Sequence, residues 1–152
     1  EVATQLALLG YQVDIYTRKE SVDQEEIVYW KPLIRVIHVK AGPVLALPKE
    51  ELYTYMDEFS TVMINFIQHN QLNYQLVHAH FWLSGMVAME LKKQLKIPFV
   101  ITFHALGAVR RLHQGCADKF PKVREQIEKD IIWQAERVIA EGSDSALPGS
   151  AG

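Results

Sequence analysis

The chain is poor in the features that mark several common functions. Of its 152 residues only Cys116 is a cysteine, so no disulfide can form within it and a reducing compartment is its natural setting. It is expected to be cytoplasmic. No apolar run approaches the roughly 18 residues of a spanning helix, and no stretch has the order of an export signal. Neither sign of charge dominates: 16 Lys and Arg stand against 18 Asp and Glu, interspersed. That balance excludes the basic footprint of a nucleic-acid binder and a polybasic arm for membranes. There is no internal repeat and no G-x-S-x-G elbow that would make Ser84 a nucleophile. With 49% hydrophobic and 22% charged residues, the chain has what a folded domain with a proper core requires.

Both ends look cut. Glu1 stands where an initiator methionine is expected, and Val2, Leu6 and Leu9 mark a helical face running up to Gly10, a residue suited to a helix C′ position. The chain is expected to open inside a helix, leaving its sheet short of the strand that would feed that helix. Residues 142–152 are small, polar and aperiodic, the composition of a linker or tail. The folded domain is expected to be 1–141.

Between these ends, strands alternate with helices. Strands are predicted at 13–17, 34–39, 76–79, 99–102 and 138–140, with a charged loop over 18–28. Pro48 begins a long helix ending near Asn70, and Glu50 and Glu51 in its first turn suit the helix dipole. Its core face is Leu52, Tyr55, Met56, Phe59, Met63, Phe66 and Ile67. Further helices are predicted at 84–95 and 123–135. This alternation implies an α/β fold with a parallel sheet wound by right-handed crossovers.

Two strand ends carry the functional signal. Leu76-Val77-His78-Ala79-His80-Phe81-Trp82-Leu83-Ser84-Gly85 and Phe99-Val100-Ile101-Thr102-Phe103-His104-Ala105-Leu106-Gly107 are apolar runs that break into histidine, aromatic and glycine. Parallel strands do this where they leave the sheet at its carboxyl edge, the edge at which open α/β sheets bind ligands. Strand alternation points His78 and His80 the same way. A metal would need a further ligand, for which His104 and His113 are candidates, but no carboxylate follows at a recognisable spacing. Ser84 is expected to cap the following helix. Lys49, Arg110, Arg111 and Arg124, with Glu128 one turn after Arg124, are cations suited to a phosphate ester.

The order of these segments resembles the amino-terminal domain of the group 1 retaining glycosyltransferases, in the branch of sucrose-phosphate synthase, sucrose synthase and the mycothiol-type enzymes. The residues that carry it are Ala41-Gly42-Pro43, Leu47-Pro48-Lys49-Glu50, the two strand ends, Arg124-x-x-x-Glu128 and Ala135-Glu136-Arg137-Val138-Ile139-Ala140. The resemblance implies one half of a GT-B fold, Rossmann-like with helices on both faces of its sheet and here truncated at its amino end. This half would hold the acceptor, and a carboxyl-terminal Rossmann-like half would hold most of the nucleotide-sugar. It further implies that His104 lies at the reaction centre and that Lys49 and Arg124 hold an acceptor phosphate, with Arg110 or Arg111 assisting. His80, Trp82, Ser84, Gly85 and Gly107 would line the pocket, with Trp82 against a sugar face. No metal or other cofactor is implied beyond the nucleotide-sugar itself.

The family's glycine-rich loop and its E-x7-E element are absent from this sequence, so the chain alone is expected to be inactive. Three other readings stay open at this point: a non-catalytic phosphosugar-binding module, a metal-assisted hydrolase built on His78, His80 and His104, and a nucleotide-binding α/β domain of other function.

Overall fold

The computed structural model describes residues 2–103 and 123–140. The chain divides into two compact units between Ile67 and Gln68.

The first unit opens with α1 (Val2–Leu8). Gly10 ends it at φ +95°: its N–H donates to Ala7 O and that of Tyr11 to Leu6 O, at 2.9 and 3.1 Å. This is the Schellman closure that a C′ glycine permits. The strands β1 (Val13–Arg18), β2 (Ile27–Lys31) and β3 (Ile34–Val39) follow and form a sheet in the order β1-β3-β2. β1 is parallel to β3, whereas β2 is antiparallel to it with an irregularity between Tyr29 and Lys31. The strand β2 was not foreseen. It returns to β3 through Pro32 and Leu33, and Leu33 sits at φ +70° without the Asn-Gly or Asp-Gly signature of a tight hairpin.

The predicted long helix is divided. α2 (Lys49–Leu52) passes through a 3₁₀ turn (Tyr53–Tyr55) into α3 (Met56–His69). α3 buries Met56, Ser60, Met63, Ile64 and Ile67, and Phe66 meets Tyr16 of β1 edge-on with ring centres 6.1 Å apart.

The second unit holds β4 (Val77–His80), α4 (Trp82–Leu95), β5 (Phe99–Phe103), α5 (Arg124–Gln134) and β6 (Arg137–Ala140). Its sheet has the order β4-β5-β6, all parallel. The core is Phe99, Ile101 and Phe103 of β5 with Leu91 of α4 and Ile131 of α5, each at most 2% exposed. The expected α/β class is therefore present, but the described strands fall into two three-stranded sheets.

Candidate functional site

At the carboxyl end of β1, Arg18 is 7% exposed. Its Nη1 donates to Ala41 O and Pro43 O at 3.1 and 2.6 Å, and its Nη2 to Leu45 O. These bonds staple the loop that follows β3. Gly42 completes the staple: its N–H donates to Glu58 Oε1 at 2.8 Å, and a Cβ there would lie 2.8 Å from the Tyr55 ring. The loop leads through Pro48 to Lys49, which is exposed at the head of α2.

In the second unit β4 ends in the two histidines. Their rings stack with centres 4.2 Å apart, as the alternation of strand side chains predicts, and His78 Nε2 lies 2.8 Å from Thr102 Oγ1 on β5. His78 is half-buried and His80 exposed. Among the described residues no group of three His, Cys, Asp or Glu could hold a metal; His104 and His113 lie outside them.

The chain then turns at Phe81, which has φ 97° and ψ 152°, so α4 begins at Trp82, two residues before the predicted start. Ser84 is consequently inside the first turn, exposed, and is not the cap; α4 has no side-chain cap at all. Trp82 is fully buried, so its indole presents no open face to a sugar. Gly85 is a packing glycine. Its N–H donates to Phe81 O at 3.0 Å, and a Cβ would stand 2.7 Å from Ile131 Cδ1 and 2.8 Å from Ile101 Cδ1.

Arg124 lies against this turn. Its guanidinium carbon is 5.4 Å from the ring centres of both Phe81 and Trp82, and its Nε is 3.3 Å from Glu128 Oε2. Both side chains of that pair are buried, at 1% and 4% exposure. The placement runs against local preference, because a cation in the first turn of α5 faces the positive end of the helix dipole. Breaches of local rules of this kind gather at functional or strained sites.

Of the sequence-derived candidates, the structure brings His80, Trp82, Ser84, Gly85, Arg124 and Glu128 together around the β4–α4 turn, and places Lys49 in the first unit. His104, Gly107, Arg110 and Arg111 lie outside the described residues. The sequence reading missed Arg18 and the turn at Phe81. The sequence pattern puts Arg18 at the start of a charged loop, whereas it ends β1 and its side chain anchors the loop after β3. A cleft of about 440 Å³ lined by Lys92, Lys93, Lys96, Pro98, Gln134 and Glu136 lies at the other end of β5. Lys92 there is engaged by Gln134 O and Glu136, so the cleft is no rival site.

The profile of the family described as glycosyl transferase 4-like domain matches residues 1–146. The chain belongs to that family. Among curated members, the D-inositol 3-phosphate glycosyltransferase of Corynebacterium kroppenstedtii is 38% identical over 136 residues, 89% of this chain and 30% of that protein. Its counterpart in Corynebacterium glutamicum is 41% identical over 135 residues, 88% of this chain and 32% of that protein. Among solved structures, sucrose-phosphate synthase from Thermosynechococcus elongatus superposes with a TM-score of 0.79 at 30% identity, over 88% of this chain and 33% of that one. The glycosyltransferase domain described here thus has the α/β fold of one half of a GT-B enzyme. It spans about a third of the length of these relatives.

Proposed function

We propose that this chain is the acceptor-binding half of a retaining glycosyltransferase that moves a hexose from a nucleotide-sugar of the UDP-glucose type to a sugar or phosphosugar. The observation that carries the reading is Arg124, a buried cation at the positive end of a helix, set among the aromatic rings at the end of β4. Burying a charge is unfavourable without a partner, and Glu128 supplies one through Nε. The N–H donors of arginine form a fixed fork that suits a phosphate. Two kinds of relative support the acceptor class, since the names of both an inositol 3-phosphate glycosyltransferase and a sucrose-phosphate synthase contain a phosphorylated sugar or polyol.

In this reading Lys49 and Arg124 hold the acceptor phosphate, with Arg110 or Arg111 assisting, and His80 and Ser84 meet the sugar beside the first turn of α4. Trp82 and Gly85 act from within, as packing that fixes the pocket wall, and Gly107 and His104 complete the site after β5. Because the Arg124 side chain is 1% exposed, a phosphate reaches the guanidinium only when its cover shifts. His104 stabilises charge as the bond between sugar and nucleotide breaks, the kind of fixed electrostatic placement that supplies much enzymatic rate. The nucleotide-sugar is a co-substrate, and the proposal includes neither a metal nor another cofactor. A carboxyl-terminal Rossmann-like half holds the donor, so the chain alone does not turn over, and the setting is the cytoplasm. Among the described residues no helix is long and apolar enough to cross a membrane.

Calorimetric titration with D-inositol 3-phosphate and with fructose 6-phosphate tests the acceptor assignment. Lys49→Ala and Arg124→Lys are each expected to weaken binding by about 1.5–3 kcal/mol, the range for a hydrogen bond to a charged group. Unchanged affinity in both variants would sink the assignment. Release of UDP from UDP-glucose plus acceptor by the chain alone, at a rate of about 1 per second or faster, would refute its inactivity.

A further inference from the structure

We infer that Phe81 is a positioning residue for Arg124: its ring, carried on a backbone conformation suited to glycine, sets the guanidinium where it can meet an acceptor phosphate. The inference deepens the reading of Arg124 as a phosphate holder and rests on it.

At φ 97° and ψ 152° Phe81 occupies a region that is essentially confined to glycine, and non-glycine residues persist there only where their surroundings hold them. Two main-chain bonds do part of the holding. The Phe81 N–H donates to Thr102 O at 3.2 Å, tying the end of β4 to β5, and Phe81 O accepts from the Gly85 N–H at 3.0 Å, starting α4. A glycine could make both bonds without the steric penalty, so the turn itself gives no reason for a phenyl group.

The ring meets that of Trp82, with centres 6.4 Å apart, and it meets Arg124. The guanidinium carbon stands 5.4 Å from its centre, within the range of a cation–π interaction, and the same distance from the ring of Trp82. Glu128 engages the guanidinium at Nε. The two rings fix the position of the planar group and the carboxylate fixes its rotation. Recognition of a phosphate by an arginine fork is geometric, so displacement of the fork weakens the phosphate contact in particular and leaves contacts to the sugar hydroxyls in place.

The test compares wild type, Phe81→Gly, Phe81→Leu and Phe81→Tyr by calorimetry with D-inositol 3-phosphate and fructose 6-phosphate, each against its unphosphorylated counterpart, myo-inositol or fructose. Thermal unfolding of each variant establishes that it is folded. The preference for the phosphorylated ligand is expected to fall roughly tenfold in the glycine and leucine variants, as the loss of a desolvated cation–π contact implies, and to be kept by tyrosine, which retains the aromatic face. If the glycine variant does not fold, leucine and tyrosine, which preserve bulk, decide the matter. An unchanged preference in the folded variants would overturn the inference, and so would an equal loss for both ligands of a pair, because a general structural role acts on both. A wild-type protein with no preference for phosphate would instead remove the assignment of Arg124 itself.

Discussion

At Gly85 the close approach of α4 to its neighbours leaves no room for a side chain. A Cβ there would stand under 3 Å from the δ-methyls of Ile101 and Ile131, which are themselves fully buried and have nowhere to move. Overpacking of a core costs about 1–3 kcal/mol, against about 1 kcal/mol gained when alanine replaces glycine in a helix. Gly85→Ala is therefore expected to lower stability by about 1 kcal/mol in denaturant titrations. Adding Ile131→Val, which removes one offending methyl, is expected to cost less than the two single changes summed; strict additivity would contradict the packing account. Arg18 makes a second prediction at this scale. Its fork spreads over Ala41 O, Pro43 O and Leu45 O, which a lysine's single ammonium cannot span. Arg18→Lys should cost about 1.5–3 kcal/mol by chemical denaturation; wild-type stability would contradict the staple. Individual residues were unevenly legible. The shared direction of His78 and His80 follows from strand alternation alone, and it is present as a stacked pair. The turn at Phe81 was hidden, because a positive φ at a phenylalanine leaves no mark in the sequence, and that turn moved the start of α4 and displaced Ser84 from the cap.

The elements were read best where the pattern was long and local. β1, β3, β4, β5, β6, α4 and α5 all lie within a few residues of their predicted spans. The strand β2 was lost because acidic residues precede it and its turn lacks a glycine, so the hairpin carried no punctuation. The pairing of strands into two sheets depends on contacts far apart in sequence, which periodicity does not encode. One of those pairings can be tested directly. Asp14 on β1 and Arg35 on β3 are partners in register, joined by Nε to Oδ1 at 2.9 Å and Nη2 to Oδ2 at 2.7 Å. The Asp14 side chain is 9% exposed and that of Arg35 26%. Removing the arginine takes two charge-assisted hydrogen bonds from the better-buried carboxylate, so Arg35→Met is expected to destabilise by about 1–3 kcal/mol. The double variant Asp14→Asn with Arg35→Met should recover part of that loss. A double variant less stable than Arg35→Met would show that Asp14 is held by something other than its cross-strand partner.

For the whole molecule, family membership and the likeness to sucrose-phosphate synthase agree with the order of motifs along the chain. That order was legible because strand ends, glycines and helix starts are local signals. Spatial convergence was not: the sequence put Lys49 and Arg124 first among the phosphate candidates, ahead of Arg110 and Arg111, on family resemblance alone, and the structure ties Arg124, by its burial and its aromatic neighbours, to the end of β4. The central claim is that this chain serves the acceptor and not the donor. It is tested most directly by titrating the chain, in parallel, with D-inositol 3-phosphate, fructose 6-phosphate and UDP-glucose. The expected result is saturable binding of at least one phosphosugar and much weaker binding of UDP-glucose. Tight binding of UDP-glucose with none of either phosphosugar would contradict it and assign the chain to the donor side of the reaction.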